Sequence, residues 1–118
     1  MHRLVLAAAL AAAACASAAS LAYVKSRPAR CEVWSGDSAT WRGACLFYPE
    51  GGGSFSIAAL KGRFPNGAST ISVTVLRGGA AEVRGLTRDG INSRWGGASR
   101  SRKDPACWEG NDFQVCAR

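Results

Sequence analysis

Thr70-Ile71-Ser72-Val73-Thr74-Val75-Leu76 alternates hydroxyl-bearing and apolar residues as far as Leu76. Successive side chains of a strand point to opposite faces, so this stretch predicts a β-strand with one buried face. The pattern extends in both directions. Downstream, Arg77-Gly78-Gly79 predicts a turn into a strand over 80–86, and Asp89-Gly90, a good turn dipeptide, leads into Ile91-Asn92-Ser93-Arg94-Trp95. Upstream, Ala44–Tyr48 and Ser54–Ala58 read as strands joined through Pro49-Glu50-Gly51-Gly52-Gly53. Residues 96–105 carry no apolar period and read as an exposed loop, and Cys107–Cys116 reads as a last hairpin. No helical amphipathic stretch of useful length lies beyond residue 31. About seven short strands separated by glycine-rich turns predict an all-β domain, a small antiparallel barrel or sandwich.

The cysteines add staples to that domain. The chain has five, and one of them, Cys15, lies in an uncharged, alanine-rich stretch between Arg3 and Lys25. A short basic start, an apolar run and small residues at Ala16-Ser17-Ala18 are the pattern of a secretory signal peptide, read here over residues 1–19. Lipidation of Cys15, or retention of the apolar stretch as an anchor, are the other readings of the same segment. Each delivers the downstream domain across a membrane, to the periplasm or outside the cell. There, Cys31, Cys45, Cys107 and Cys116 form an even set in an oxidising compartment, which predicts a disulfide framework. The local pairing Cys31–Cys45 and Cys107–Cys116 is favoured, because Cys107 and Cys116 face each other if the last hairpin turns at Asn111-Asp112. Crossed pairing of the first and last strands is the alternative. A Cys₄ zinc site is disfavoured, since zinc knuckles are usually much tighter than these intervals. Residues 20–30 then form a basic arm, and 31–118 a single disulfide-linked β domain.

Chemistry is sparse in this domain. The only histidine is His2, in the leader, so no imidazole is available for a Ser-His or Cys-His nucleophile. The triplet Gly51-Gly52-Gly53 lacks the lysine and helix of a phosphate loop and reads as a hairpin turn. Glu82, Asp89, Asp104, Glu109 and Asp112 each stand beside a turn or a basic residue, the ordinary place for solvated surface charge. The expectation is a protein that is not an enzyme and uses no cofactor or metal.

Charge is the remaining signal. Of the 15 Lys and Arg residues only Arg3 precedes residue 20, and none of the 8 acids does, leaving 14 against 8, or +6. Such an excess favours anionic partners, and its arginine bias favours bidentate recognition of phosphate or carboxylate. Arg94, Trp95, Arg100, Arg102 and Lys103, with Trp108 shortly after them, form the candidate ligand-binding constellation. In it arginine would take the anion and tryptophan would stack on a flat face. Core packing of both tryptophans is the competing reading. The expected ligand is an anionic envelope glycan or lipid. The second expectation is an inhibitor or immunity-type partner of an acidic secreted enzyme. Export argues against a nucleic-acid partner.

The segments CEVWSGDSATWRGACLFYPEGGGSFSI (31–57) and GLTRDGINSRWGGASRSRKDPACWEGNDFQVC (85–116) resemble a recurrent type of uncharacterised small exported protein of Gram-negative bacteria. That resemblance implies a single disulfide-linked β domain. At the level of fold alone, the chain is similar to periplasmic C-type lysozyme inhibitors, which are small, exported, disulfide-bonded barrels. Its positive charge would direct inhibition of that kind toward an acidic target, because like charges repel across an interface.

Overall fold

The computed structural model describes residues 25–118. The leader read over 1–19, with Cys15 and its lipidation, lies outside the described residues. Eight strands run in order: β1 (Arg27–Ser35), β2 (Trp41–Gly51), β3 (Ser54–Ala59), β4 (Ala68–Arg77), β5 (Ala80–Thr87), β6 (Asn92–Arg100), β7 (Cys107–Glu109) and β8 (Phe113–Ala117). Each pairs antiparallel with the next, and β1 pairs with β8 to close the sheet into a barrel. The architecture is therefore the barrel rather than the sandwich, with eight strands where about seven were expected. An eight-stranded barrel is just wide enough for side chains to fill.

The alternation in β4 does what its sequence demands. Ile71 and Val73 are fully buried, whereas Thr74 on the other face is exposed. Val33 of β1, Ile57 of β3, Val83 of β5 and Val115 of β8 meet them in the interior. A bulge at Ser69 lets Ala68 point inward along with Ile71. Two hairpins turn on glycine pairs: Gly52-Gly53 and Gly78-Gly79 have φ of 61°, 89°, 54° and 79°. Positive φ at both central residues matches the twist of the flanking strands, and glycine adopts it without steric cost.

Two segments differ from the sequence reading. β1 begins at Arg27, so Arg27–Arg30, assigned to the basic arm, are strand. Their side chains alternate like those of any strand, but Pro28 masks it in the sequence. The proline is tolerated because β8 reaches only as far as Cys31 on the β1 ladder, leaving Arg27–Ala29 paired on one side alone. The exposed loop expected over 96–105 is strand as far as Arg100. Its glycines are strand positions: Gly96 and Gly97 pair with Val83 and Glu82.

Both disulfides form in the local pairing, Cys31–Cys45 and Cys107–Cys116. They sit on opposite sides of the barrel wall. Cys31 and Cys45 belong to the interior cluster, set diagonally, since Cys31 opposes Gly43 and Cys45 opposes Ala29. Cys107 and Cys116 directly oppose each other on the outer face, opposite to Trp108 and Val115. There they are buried between the Gln114 amide, 3.2 Å from Cys116 Sγ, and the Arg118 guanidinium, 4.0 Å from Cys107 Sγ. Only the first pair is therefore part of the core as well as a staple.

The barrel's two ends are unlike. At one end the β3–β4 connection folds back as a plug: Phe64 and Pro65 are buried, and Trp41 packs edge-on to Phe64 with ring centroids 4.8 Å apart. The Trp41 indole N–H donates to the Lys61 carbonyl at 3.3 Å, tying the plug to β2. The other end carries the two glycine-pair hairpins and the β6–β7 loop, with no comparable plug among the described residues.

Denaturant unfolding of the double variant Cys31→Ala/Cys45→Ala should show a loss of about 3 kcal/mol, and that of Cys107→Ala/Cys116→Ala a loss of roughly 2.5 kcal/mol, scaled by loop length. In a second test of the core, Gly85→Ala should cost about 1–3 kcal/mol by overpacking. A Cβ there would stand 2.9 Å from the Trp95 indole nitrogen and 3.2 Å from Ala68 Cβ. Unchanged urea midpoints would contradict either assignment.

Candidate functional site

The six candidate residues do not form one constellation. Arg94 and Trp95 lie at the plugged half of β6, six and five residues from Arg100, which places them roughly 15–20 Å away along the strand. Trp95 is the extra residue of a bulge: Val83 opposes Gly96 and Arg84 opposes Arg94. Gly96 takes φ 133° to complete it. The bulge turns the indole inward, edge-on to Phe113 with centroids 5.8 Å apart, and buries its N–H against Gly85 without a hydrogen-bond partner among the described residues. Trp95 is thus a packing residue that also borders a shallow groove with Gly96, Gly97, Asn111 and Asp112.

Arg94 is already neutralised. Its Nε donates to the Glu82 carboxylate at 2.9 Å, and Arg84 stands on the other oxygen at 3.4 Å. The hydrogen bond from Arg94 is the main reason that the Glu82 carboxyl titrates below its ordinary range, with the charges of Arg94 and Arg84 adding to it. Arg42 with Glu32 and Arg118 with Asp104 are likewise paired.

Arg100, Arg102 and Lys103 do come together. With Gly78, Gly79, Ser99, Ser101 and Glu109 they line a groove of ≈ 650 Å³ at the unplugged end. None of the three basic residues forms an ion pair among the described residues. The loop that carries Arg102 and Lys103, beginning where β6 ends at Arg100, is built rather than slack. Ser101 is buried and its Oγ accepts from the backbone N–H groups of Lys103 and Asp104, each at 3.2 Å. Ser101 N–H donates to the Cys107 carbonyl at 2.9 Å, and Asp104 Oδ1 accepts from Ala106 N–H at 3.2 Å. Arg118 holds the other carboxylate oxygen of Asp104 at 2.6 Å. The Gly78-Gly79 turn opposite adds no side chains, so the groove floor stays low on that side.

Trp108 is not available for stacking in this groove. It is buried in the barrel, opposite Arg100 in the β6–β7 register, and the Arg100 guanidinium lies over its ring at 4.7 Å. The competing expectation for this residue, core packing, describes its position. One residue that sequence reading left out stands beside this end: Arg27, whose guanidinium lies 4.4 Å over the Phe47 ring. Counting back from Val33 and Cys31 by twos reaches it on the same inward face.

Comparison with protein-family models, with curated proteins and with solved structures returns no match.

The Glu82 cluster yields a pH prediction with a defined sign. A carboxyl whose folded pKa is depressed stabilises the fold above its unfolded pKa, near 4.3. That contribution disappears as pH falls through the lower folded value. In carbon-detected NMR, Glu82 should titrate below the range of ordinary glutamates. In the Arg94→Gln variant its midpoint should move up toward that range. A Glu82 midpoint unmoved by this substitution would show that Arg94 is not the principal cause.

Proposed function

We propose that this chain is a small exported binding protein, without enzymatic activity, that recognises an anionic glycan or lipid of the bacterial envelope through the groove of Arg100, Arg102 and Lys103. The observation that carries this reading is the combination of free cations and a fixed frame. Arg102 and Lys103 project from a loop whose backbone is hydrogen-bonded to a buried serine and to an ion-paired aspartate, and Arg100, the last residue of β6, borders the same groove. Ordering costs are therefore small when an anion arrives. Open ground in front of the Gly78-Gly79 turn suits an extended polymer or a membrane-bound headgroup rather than an enclosed small molecule. The leader sequence supports export, and two disulfides are compatible with an oxidising compartment.

The reading without catalysis rests on the residues themselves. Cys31, Cys45, Cys107 and Cys116 are disulfide-bonded and offer no thiolate. Of the carboxylates Glu82, Asp89, Asp104, Glu109 and Asp112, Glu82 and Asp104 are engaged by arginines.

The test uses the double variant Arg102→Ala/Lys103→Ala, which spares Arg100 and its contact with Trp108. Retention of the wild-type protein on immobilised lipopolysaccharide or anionic peptidoglycan fragments should fall as salt rises. The variant should bind roughly tenfold more weakly or worse, at about 1 kcal/mol for each cation near an anionic surface. Equal retention of variant and wild type would sink the groove assignment. Stoichiometric capture of an acidic secreted enzyme in its place would favour the inhibitor reading instead.

A further inference from the structure

Two arginines occupy inward-facing positions at the unplugged end of the barrel, where the alternation of a small barrel calls for apolar side chains. On β1 the inward series runs Val33, Cys31, Ala29 and then Arg27. On β6 it runs through Ala98, which packs on the core, to Arg100. Each arginine directly opposes an inward aromatic on the neighbouring strand, Arg27 against Phe47 and Arg100 against Trp108. Each guanidinium lies over that ring, at 4.4 and 4.7 Å from the centroid. Phe47 also stacks on Phe55, with centroids 4.9 Å apart, so the mouth has an aromatic floor. A pocket of ≈ 160 Å³ opens between these elements, walled by Pro105, Ala106 and Ala117. It opens because β1 overhangs β8 at Arg27–Ala29.

The electrostatics of this pocket are one-sided. No carboxylate lines it. Of the acids in the adjoining segments, Glu50 and Asp104 are engaged with Ser56 and Arg118, and Glu109, beside Trp108, lines the groove of Arg102 and Lys103 and not this pocket. Arg100 commits one N–H to the Pro105 carbonyl at 2.9 Å, and Arg27 makes no side-chain hydrogen bond or ion pair among the described residues. A guanidinium has five N–H donors, so most of the donor capacity at this mouth is unspent. Two like charges above one apolar floor, with no protein anion between them, form a receptor for an anion that carries an apolar body. A cavity of roughly 150 Å³ is enough for a benzene ring.

We propose that this barrel mouth is a binding site for a compact organic carboxylate, its carboxylate held between Arg27 and Arg100 and its aromatic or branched apolar part seated against the edge of Phe47 and the apolar wall of Pro105, Ala106 and Ala117. The site is separate in chemistry from the groove of Arg102 and Lys103, and it does not depend on the envelope-binding reading. Arg100 borders both, so the discriminating residue is Arg27.

The experiment is an NMR titration of the oxidised protein with benzoate, acetate, inorganic phosphate and the uncharged benzamide. Benzoate should shift the Trp108 indole and the Phe47 and Phe55 resonances saturably. Benzamide should bind at least about tenfold more weakly, since a good charge-assisted pair is worth about that factor, and acetate and phosphate should do so because they lack the apolar ring whose burial adds to binding. Arg27→Gln should weaken benzoate by a similar factor while the protein still unfolds in a single cooperative transition, and Arg102→Ala/Lys103→Ala should leave benzoate affinity unaltered. Retention of Arg27→Gln on anionic polymer should match wild type, so that failure of the mouth and failure of the groove read out separately. Absence of a saturable benzoate shift, equal affinity for benzamide, or equal affinity of Arg27→Gln would each overturn the proposal. The benzamide comparison needs no variant and stands even if a substitution at the mouth unfolds the protein.

Discussion

Everything in this structure depends on the seam between β1 and β8. These strands come from opposite ends of the described chain, and their pairing closes an open meander into a barrel, leaving Arg27–Ala29 as an edge beyond the seam. The seam is short, running from Cys31 opposite Ala117 to Ser35 opposite Phe113, and is extended by reciprocal backbone bonds between Arg30 and Arg118 at 3.1 and 2.9 Å. Contacts between distant parts of a chain carry the largest loop-closure cost, and chain ends fray first. The disulfides answer that problem without crossing the seam. One ties β1 to β2 and the other ties β8 to β7, so each seam strand is anchored to its outer neighbour. Val33 opposite Val115, both fully buried, then supplies the apolar contact across the join.

That arrangement explains which elements were legible in the sequence. β4 was legible because strict alternation and β-branched residues coincide in it, and the last hairpin because Cys107 and Cys116 sit symmetrically about Asn111-Asp112. β1 was obscured by Pro28 and by arginines at both Arg27 and Arg30, which read as a solvated arm. Only knowledge that β8 stops short of them shows that a proline and an inward arginine are tolerable there. β6 was obscured by Gly96 and Gly97, which act as bulge and strand positions rather than as turn residues. Bulges move a side chain from one face to the other, and nothing in local periodicity marks where they fall. For that reason the constellation from Arg94 to Trp108 looked continuous in sequence and divides in space into a packing half and a basic half.

The division also assigns roles to the tryptophans. Trp41 and Trp95 pack toward the plugged end, against Phe64 and Phe113. Trp108 sits beneath Arg100 at the other. Gly85 and Gly110 are the spatial complement of this packing: a Cβ at Gly85 would crowd the Trp95 indole, and one at Gly110 would overlap the Phe113 ring. Neither glycine has a positive φ, so their value is space rather than conformation.

The same fold logic separates a plugged end from an open one. A small barrel must fill its interior, and at the plugged end it does so with Phe64, Pro65 and Trp41. At the open end the inward positions hold arginines, whose long aliphatic stems cover apolar surface while the charged heads stay in water. An inward arginine over an aromatic ring satisfies the core's need for cover at little desolvation cost. It also leaves a positive charge aimed across the mouth. Apolar residues at positions 27 and 100 would seal this end as the other is sealed and would give up that field. Arginine there covers the Phe47 and Trp108 rings and keeps its charge at the mouth, which is why the cations at this end belong to the architecture as well as to the surface charge.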